Sequence, residues 1–144
     1  MPILDRRTNQ FIEDKDKRVS VGIDFPFARV PNQEGYFATT KTTIESVKNN
    51  IRLLLQTQRG ERPFQPFLGA NLRGLLFEPA DALTKIALRE NIFDVLKNHE
   101  PRIEVQDIDI KDLADQNAYR VLVKMRIKEF DTDDQVEIVL RRLR

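Results

Sequence analysis

Cysteine is absent from the 144 residues, which removes disulfides, thiolate nucleophiles and thiolate metal ligands together. The fold must hold on packing alone. Tryptophan is also absent and tyrosine occurs twice, so a sugar groove walled with aromatic rings is hard to build. An excess of one charge is missing too. Lys plus Arg number 24 against 23 Asp plus Glu, and a net charge of +1 offers no long-range field for nucleic acid or anionic lipid. No apolar run approaches the ~18 to 20 residues that span a bilayer, and residues 1–18 show no apolar secretory h-region. A cytoplasmic or particle-borne protein is expected, with neither nucleic acid nor membrane as partner.

What is present is 40% hydrophobic and 33% charged residues, enough to bury one core under an ionic surface. Residues 1–18 mix Arg6, Arg7, Glu13, Asp14, Lys15, Asp16, Lys17 and Arg18 with few apolar anchors, which predicts an extended, solvated arm. Residues 19–144 form the expected single domain. Val19 to Phe27 reads as a short extended segment ended by Pro26, Asn32 to Gly35 as a turn, and Tyr36 to Thr40 as the approach to a helix.

Thr42 followed by Glu45 is a capping box, and Ile44, Val47, Ile51, Leu54 and Leu55 share one face of a helix over 43–57, opposite Lys48 and Arg52. Gly60 stops it, and Pro63 and Pro66 make 60–69 a stiff loop anchored by Phe64, Phe67 and Leu68. A short helical turn over 70–77 precedes a longer helix over 82–98 capped by Asp81. That helix has apolar residues Leu83, Ile86, Leu88, Ile92, Phe93, Val95 and Leu96 on more than one face, so it is central or touches a partner.

After Pro101 the chain turns extended through Ile103, Val105, Ile108 and Ile110, with a slip in alternation that predicts a bulge. Tyr119, Val121, Val123, Met125 and Ile127 alternate cleanly with polar residues, Asp131–Asp134 reads as a turn, and Val136, Ile138 and Leu140 complete a meander ending in Arg141, Arg142 and Arg144. Helices first and strands last predict an α+β fold: an extended N-terminal arm and a helical middle packed on a C-terminal three-strand antiparallel sheet.

Enzymatic constellations are scarce. Gly69 and Gly74 have phosphate-loop spacing, but Leu75 and Leu76 replace the Lys and Ser/Thr such a loop needs. An EF-hand register from Asp131 meets Val136 where glycine belongs and Arg142 where glutamate belongs. His99 is the lone histidine, so a multi-histidine metal site is excluded, and neither Ser20 nor Ser46 sits in a nucleophile elbow. Glu78, Glu90 and Glu100 are candidates for a glycosidase carboxylate pair, with Glu90 among apolar neighbours that would raise its pKa.

Glu100, Pro101 and Arg102 stand out at the helix-to-strand junction. Pro101 enforces the break, Glu100 adds negative charge at the negative end of a helix, and Arg102 offers a planar fork of donors. The triplet is either a structural corner in which Arg102 compensates Glu100, or a display of both charges to another subunit.

RGERPFQPFLGANLRGLLFEP at 59–79, NHEPRIEVQDIDI at 98–110 and VGIDFPF at 21–27 together resemble the baseplate wedge protein family of contractile phage tails, which includes the sheath-initiating component of type VI secretion systems. The likeness spans roughly residues 19 to 140. It implies a non-enzymatic virion protein without cofactor, metal or catalytic residue, assembled in the host cytoplasm and present once per wedge in a six-fold tail baseplate. The isolated chain would be a monomer.

The implied partners are wedge and core-bundle subunits, held through Glu100, Pro101 and Arg102, and tail sheath subunits, whose polymerisation the protein would template. Sheath arms would add as strands at the edges near 119–128 and 135–144, with Val136, Ile138, Leu140 and Arg141 as contacts. The proline-free stretch Gln135–Arg144 independently predicts a strand with a free edge, on which the arginines are either edge-protecting charges or contacts. Acids found in the family near the loop are replaced here by Gln65, Phe67 and Asn71. A lysozyme-like, peptidoglycan-cleaving hydrolase and a type VI baseplate component are the alternative readings.

Overall fold

The computed structural model describes residues 20–29, 37–79 and 81–141. The arm expected at 1–18, the turn at 32–35, and Arg142 and Arg144 lie outside the described residues. Within them the chain runs β1 (Gly22–Ile23), β2 (Thr39–Thr40), α1 (Thr43–Gln56), α2 (Leu72–Leu76), α3 (Ala82–His99), β3 (Ile103–Leu113), a 3-10 turn (Ala114–Gln116), β4 (Ala118–Ile127) and β5 (Thr132–Arg141).

The capping residues act as their types require. Thr42 Oγ1 accepts from the Glu45 amide at 3.3 Å and opens α1, while Asp81 Oδ1 accepts from the Thr84 amide at 2.8 Å and opens α3. That amide bond is the main reason the Asp81 carboxyl is held below its ordinary pKa. In α1, Val47, Ile51, Leu54 and Leu55 are buried as their spacing predicts. The face of α3 that packs is Thr84, Leu88, Ile92, Val95 and Leu96, whereas Leu83, Ile86 and Phe93 are exposed.

The second sheet is an antiparallel meander in the order β3-β4-β5. One row of β4 (Tyr119, Val121, Val123, Met125 and Ile127) is completely buried, because α1 and α3 cover that face. Its cross-strand partners complete the layer, Val121 lying between Ile110 and Ile138 and Val123 between Ile108 and Val136. Each such aliphatic side chain contributes about 1.5 to 3 kcal/mol by leaving water. The opposite face is ionic, with Arg120 to Glu137 at 3.1 Å and Arg126 to Asp133 at 2.9 Å. These exposed pairs fix register more than they stabilise.

The bulge falls between Val105 and Asp107, where Asp107 meets both Arg89 of α3 at 3.0 Å and Lys124 of β4 at 3.7 Å. Four expectations need correction. The turn expected at Asp131–Asp134 lies earlier, with Asp131 at φ 48 and β5 already begun at Thr132. Asp133 is drawn into the strand by Arg126 opposite it, and Asp134 by Lys48 of α1 at 2.7 Å. The strand expected over 19–27 is only Gly22–Ile23, paired with Thr39–Thr40, which read as an approach to a helix. Two residues carry no periodicity. In the 60–69 loop, Leu68 packs on the core but Phe64 and Phe67 are exposed. Finally, β4 is hydrogen-bonded on both sides, so residues 119–127 present no edge to a partner.

Gly69 closes the loop at φ 106, and a Cβ there would meet the Thr57 carbonyl oxygen at 2.4 Å. Strain and backbone clash act together. Gly69→Ala is expected to lower unfolding free energy by about 2 to 3 kcal/mol, measured by urea denaturation, while Gly74→Ala, with nothing within 4 Å of its Cβ, remains near wild type.

Candidate functional site

The corner after α3 is built from the end of a helix whose last turn carries Lys97 and His99, cations suited to its negative pole. The Glu100 amide completes the helix by donating to the Leu96 carbonyl at 2.9 Å, and Pro101 prevents another turn. Glu100 is 3% exposed. Its carboxylate is gripped by Arg102 in a two-bond fork, Nε to Oε1 at 2.6 Å and Nη2 to Oε2 at 2.9 Å. The Arg102 side chain is 31% exposed, and its pKa is raised chiefly by the hydrogen bond to Glu100, against a smaller opposing effect of burial.

The compensating partner demanded by a buried carboxylate is therefore Arg102 itself. Asn50 of α1 adds a weak contact to Oε2 at 3.5 Å. Lys128, just past β4, clasps the corner from the other side. Its amide donates to the Arg102 carbonyl at 3.0 Å and its Nζ to the Pro101 carbonyl at 2.9 Å. Sequence reading missed Asn50 and Lys128, because each lies remote in the chain and carries no local pattern.

Beside the corner a cleft of about 590 Å³ opens between α1 and the 59–69 loop, lined by Phe25, Leu53, Leu54, Arg62, His99 and Glu100. Glu61 also borders it, but its Oε2 accepts from the Gln58 amide at 2.9 Å. Both Glu100 oxygens are committed to arginine. The other carboxylate candidates are exposed, Glu78 beyond α2 and Glu90 on the solvent side of α3. Glu90 does border a cleft with Ile86, Phe93, Val105 and Ile108, but it is exposed there and shares the cleft with the charged Arg89, Asp94 and Asp107. Among the described residues no group of three or more His, Asp or Glu side chains is placed to hold a metal ion, and no helix is long and apolar enough to cross a membrane.

The second group of candidates sits on β5. Val136, Ile138 and Leu140 point into the core, whereas Arg141 is exposed at the strand end opposite Ala118. The corner adjoins the other end of the sheet, where Ile103, Ile127 and Thr132 align. The two candidate groups are therefore not one site. Along β5 all ten residues pair with β4 without a register shift, and among the described residues no strand pairs with its outer side. A groove of about 750 Å³ runs beside it, lined by Arg52, Gln56, Glu137, Val139 and Arg141.

Residues 41–131 match the protein family described as baseplate wedge protein gp25. The baseplate wedge protein gp25 of Enterobacteria phage T4 is 32% identical over 94 residues, which cover 65% of this chain and 70% of the relative. A candidate tail lysozyme from Geobacter sulfurreducens shares the fold with a TM-score of 0.68 at 21% identity, over 72% of this chain and 94% of that one. A chain of the anti-feeding prophage baseplate gives a TM-score of 0.65 at 22% identity, over 74% of this chain and 83% of that one. A chain of the postcontracted pyocin R2 baseplate gives 0.54 at 20% identity, over 70% and 97%. These three likenesses establish a common fold.

Removing Arg102 strands a buried carboxylate. Arg102→Ala should cost about 2 kcal/mol of stability, below the ~3 to 5 of a fully buried pair because Arg102 is partly solvated. The double variant Glu100→Gln, Arg102→Ala should recover part of that loss. Chemical denaturation of the double-mutant cycle measures the coupling.

Proposed function

The chain belongs to the baseplate wedge protein gp25 family, and from that premise we propose that it is a structural, non-enzymatic component of a contractile-tail baseplate, fastened to wedge and core-bundle subunits by the Glu100–Pro101–Arg102 corner and templating sheath growth by strand addition at β5. Baseplate subunits and tail sheath subunits are its partners in this reading. The protein joins the particle in the host cytoplasm, in six-fold register, and is a monomer before it does so.

The observation that carries the templating role is the contrast between the two sheet edges. Natural sheets blunt exposed edges with bulges and charges. Here β3 is bulged between Val105 and Asp107 and packed beside α3, whereas β5 presents ten residues in unbroken register. The groove lined by Gln56, Val139 and Arg141 leaves room for the side chains of an added strand. Main-chain hydrogen bonds would supply affinity and the groove would supply register. Val136, Ile138 and Leu140 serve this by holding β5 flat from beneath, and Arg141 is the one of the four that meets the incoming chain.

The corner acts by rigidity. With Glu100 satisfied internally, the surface offered to a wedge partner is the solvated side of Arg102 and the Pro101 turn, held by Lys128. Strand addition is tested by amide exchange on the full-length protein mixed with a peptide spanning an extended terminal arm of the sheath subunit. The outward-facing β5 amides should gain protection while those of β3 do not; unchanged β5 exchange would sink the proposal. The wedge reading also predicts that purified protein leaves peptidoglycan intact in a dye-release assay, and clearing that disappears in Glu78→Gln or Glu90→Gln would favour the hydrolase instead.

A further inference from the structure

The loop from Arg59 to Gly69 carries features that neither the corner nor the β5 edge uses. Phe64 is fully exposed, and its backbone lies at φ 68, in the left-handed region that a bulky side chain seldom adopts. Phe67 on the same loop is exposed as well. The loop is nevertheless stiff. The Gly60 amide donates to the Pro66 carbonyl at 2.8 Å and closes it, the Gln65 amide donates to Arg62 at 3.2 Å, and the Leu68 amide donates to Gln65 at 3.1 Å. Pro63 and Pro66 remove further freedom.

Exposing an aromatic ring on strained backbone works against folding twice, and strain of this kind persists where surrounding structure holds it for use. Arg59 and Arg62 lie on the same loop, both exposed and neither ion-paired among the described residues, with Arg62 also bordering the corner cleft, while Glu61 is turned back onto Gln58.

We propose that this loop is a docking knob: Phe64 enters an apolar pocket on a different protein subunit, and carboxylates on the rim of that pocket meet Arg59 and Arg62. Aromatic and arginine side chains dominate the energetic centres of protein interfaces, and a preformed loop loses little entropy on binding. Two unpaired cations are too few to hold a nucleic-acid backbone or an anionic bilayer, which recruit larger basic clusters. One ring and two guanidinium groups carried on the same short loop match a single pocket. The proposal uses baseplate membership only to choose the particle for the test and is independent of strand addition, whose readout is β5 amide exchange.

The test has two parts. Variants are co-expressed with wild type in cells producing the whole particle, and their incorporation is compared with the thermal midpoint of the purified full chain. Phe64→Gly should keep or raise the midpoint, because glycine accepts φ 68, yet lower incorporation by about tenfold; Arg62→Glu should do likewise, and Arg62→Lys should stay within about twofold of wild type. Benzophenylalanine placed at position 64 should then photo-crosslink, in the assembled particle, to one peptide of another subunit containing Asp or Glu. Normal incorporation of Phe64→Gly overturns the proposal, as does a midpoint that falls in parallel with incorporation. So does a crosslink to lipid, to nucleic acid, to a second copy of this chain or to a segment without acidic residues.

Discussion

Burial of a single row of side chains on β4 is the constraint from which the architecture follows. Tyr119, Val121, Val123, Met125 and Ile127 have no access to water, and a three-stranded sheet cannot achieve that by itself. It needs a cover on one face. The 14-residue α1 and the 18-residue α3 supply it, each turning a stripe of Leu, Ile and Val toward the strands. Among the described residues only one face is covered, and on the other Arg120, Lys124 and Arg126 alternate with the buried row.

The corner follows from the same demand. A helix lying across the sheet must deliver its chain to the start of β3 within a few residues, and Glu100, Pro101 and Arg102 make that reversal. Burying a carboxylate at a helix C-terminus is unfavourable without donors. The Arg102 fork supplies them from two residues away, and Lys128 ties the turn to the end of β4. A joint that is satisfied internally is stiff.

Among the described residues, the polar and apolar groups left without a partner lie on the outside: the outer side of β5, the ring of Phe64, and Leu83 and Ile86 on the far face of α3. The carboxylates bordering the corner cleft are already engaged by Arg102 and by the Gln58 amide. Surface features of this kind acquire meaning in a particle, where edges and knobs meet complementary surfaces.

Local chemistry was readable without the fold. Thr42 and Asp81 as caps, the apolar stripe of α1, the slip between Val105 and Ile108, and the alternation of β4 are all short-range patterns, since helix and strand periods are set within one or two turns of chain. The need of Glu100 for a partner was also legible, because a helix end announces its own charge. Tertiary structure decided the rest. Which strand is central depends on packing order, so β4, the clearest strand in the sequence, has no edge to offer, whereas β5 has one. Asp133 and Asp134 look like a turn until Arg126 and Lys48 stand opposite them. Phe64 and Phe67 look like anchors by composition and are exposed in fact, because hydrophobicity along a chain carries no information about which way a loop closed by Gly60 and Pro66 will face. Composition and spacing specify elements; the direction in which each element points is settled only when distant residues compete for the same core.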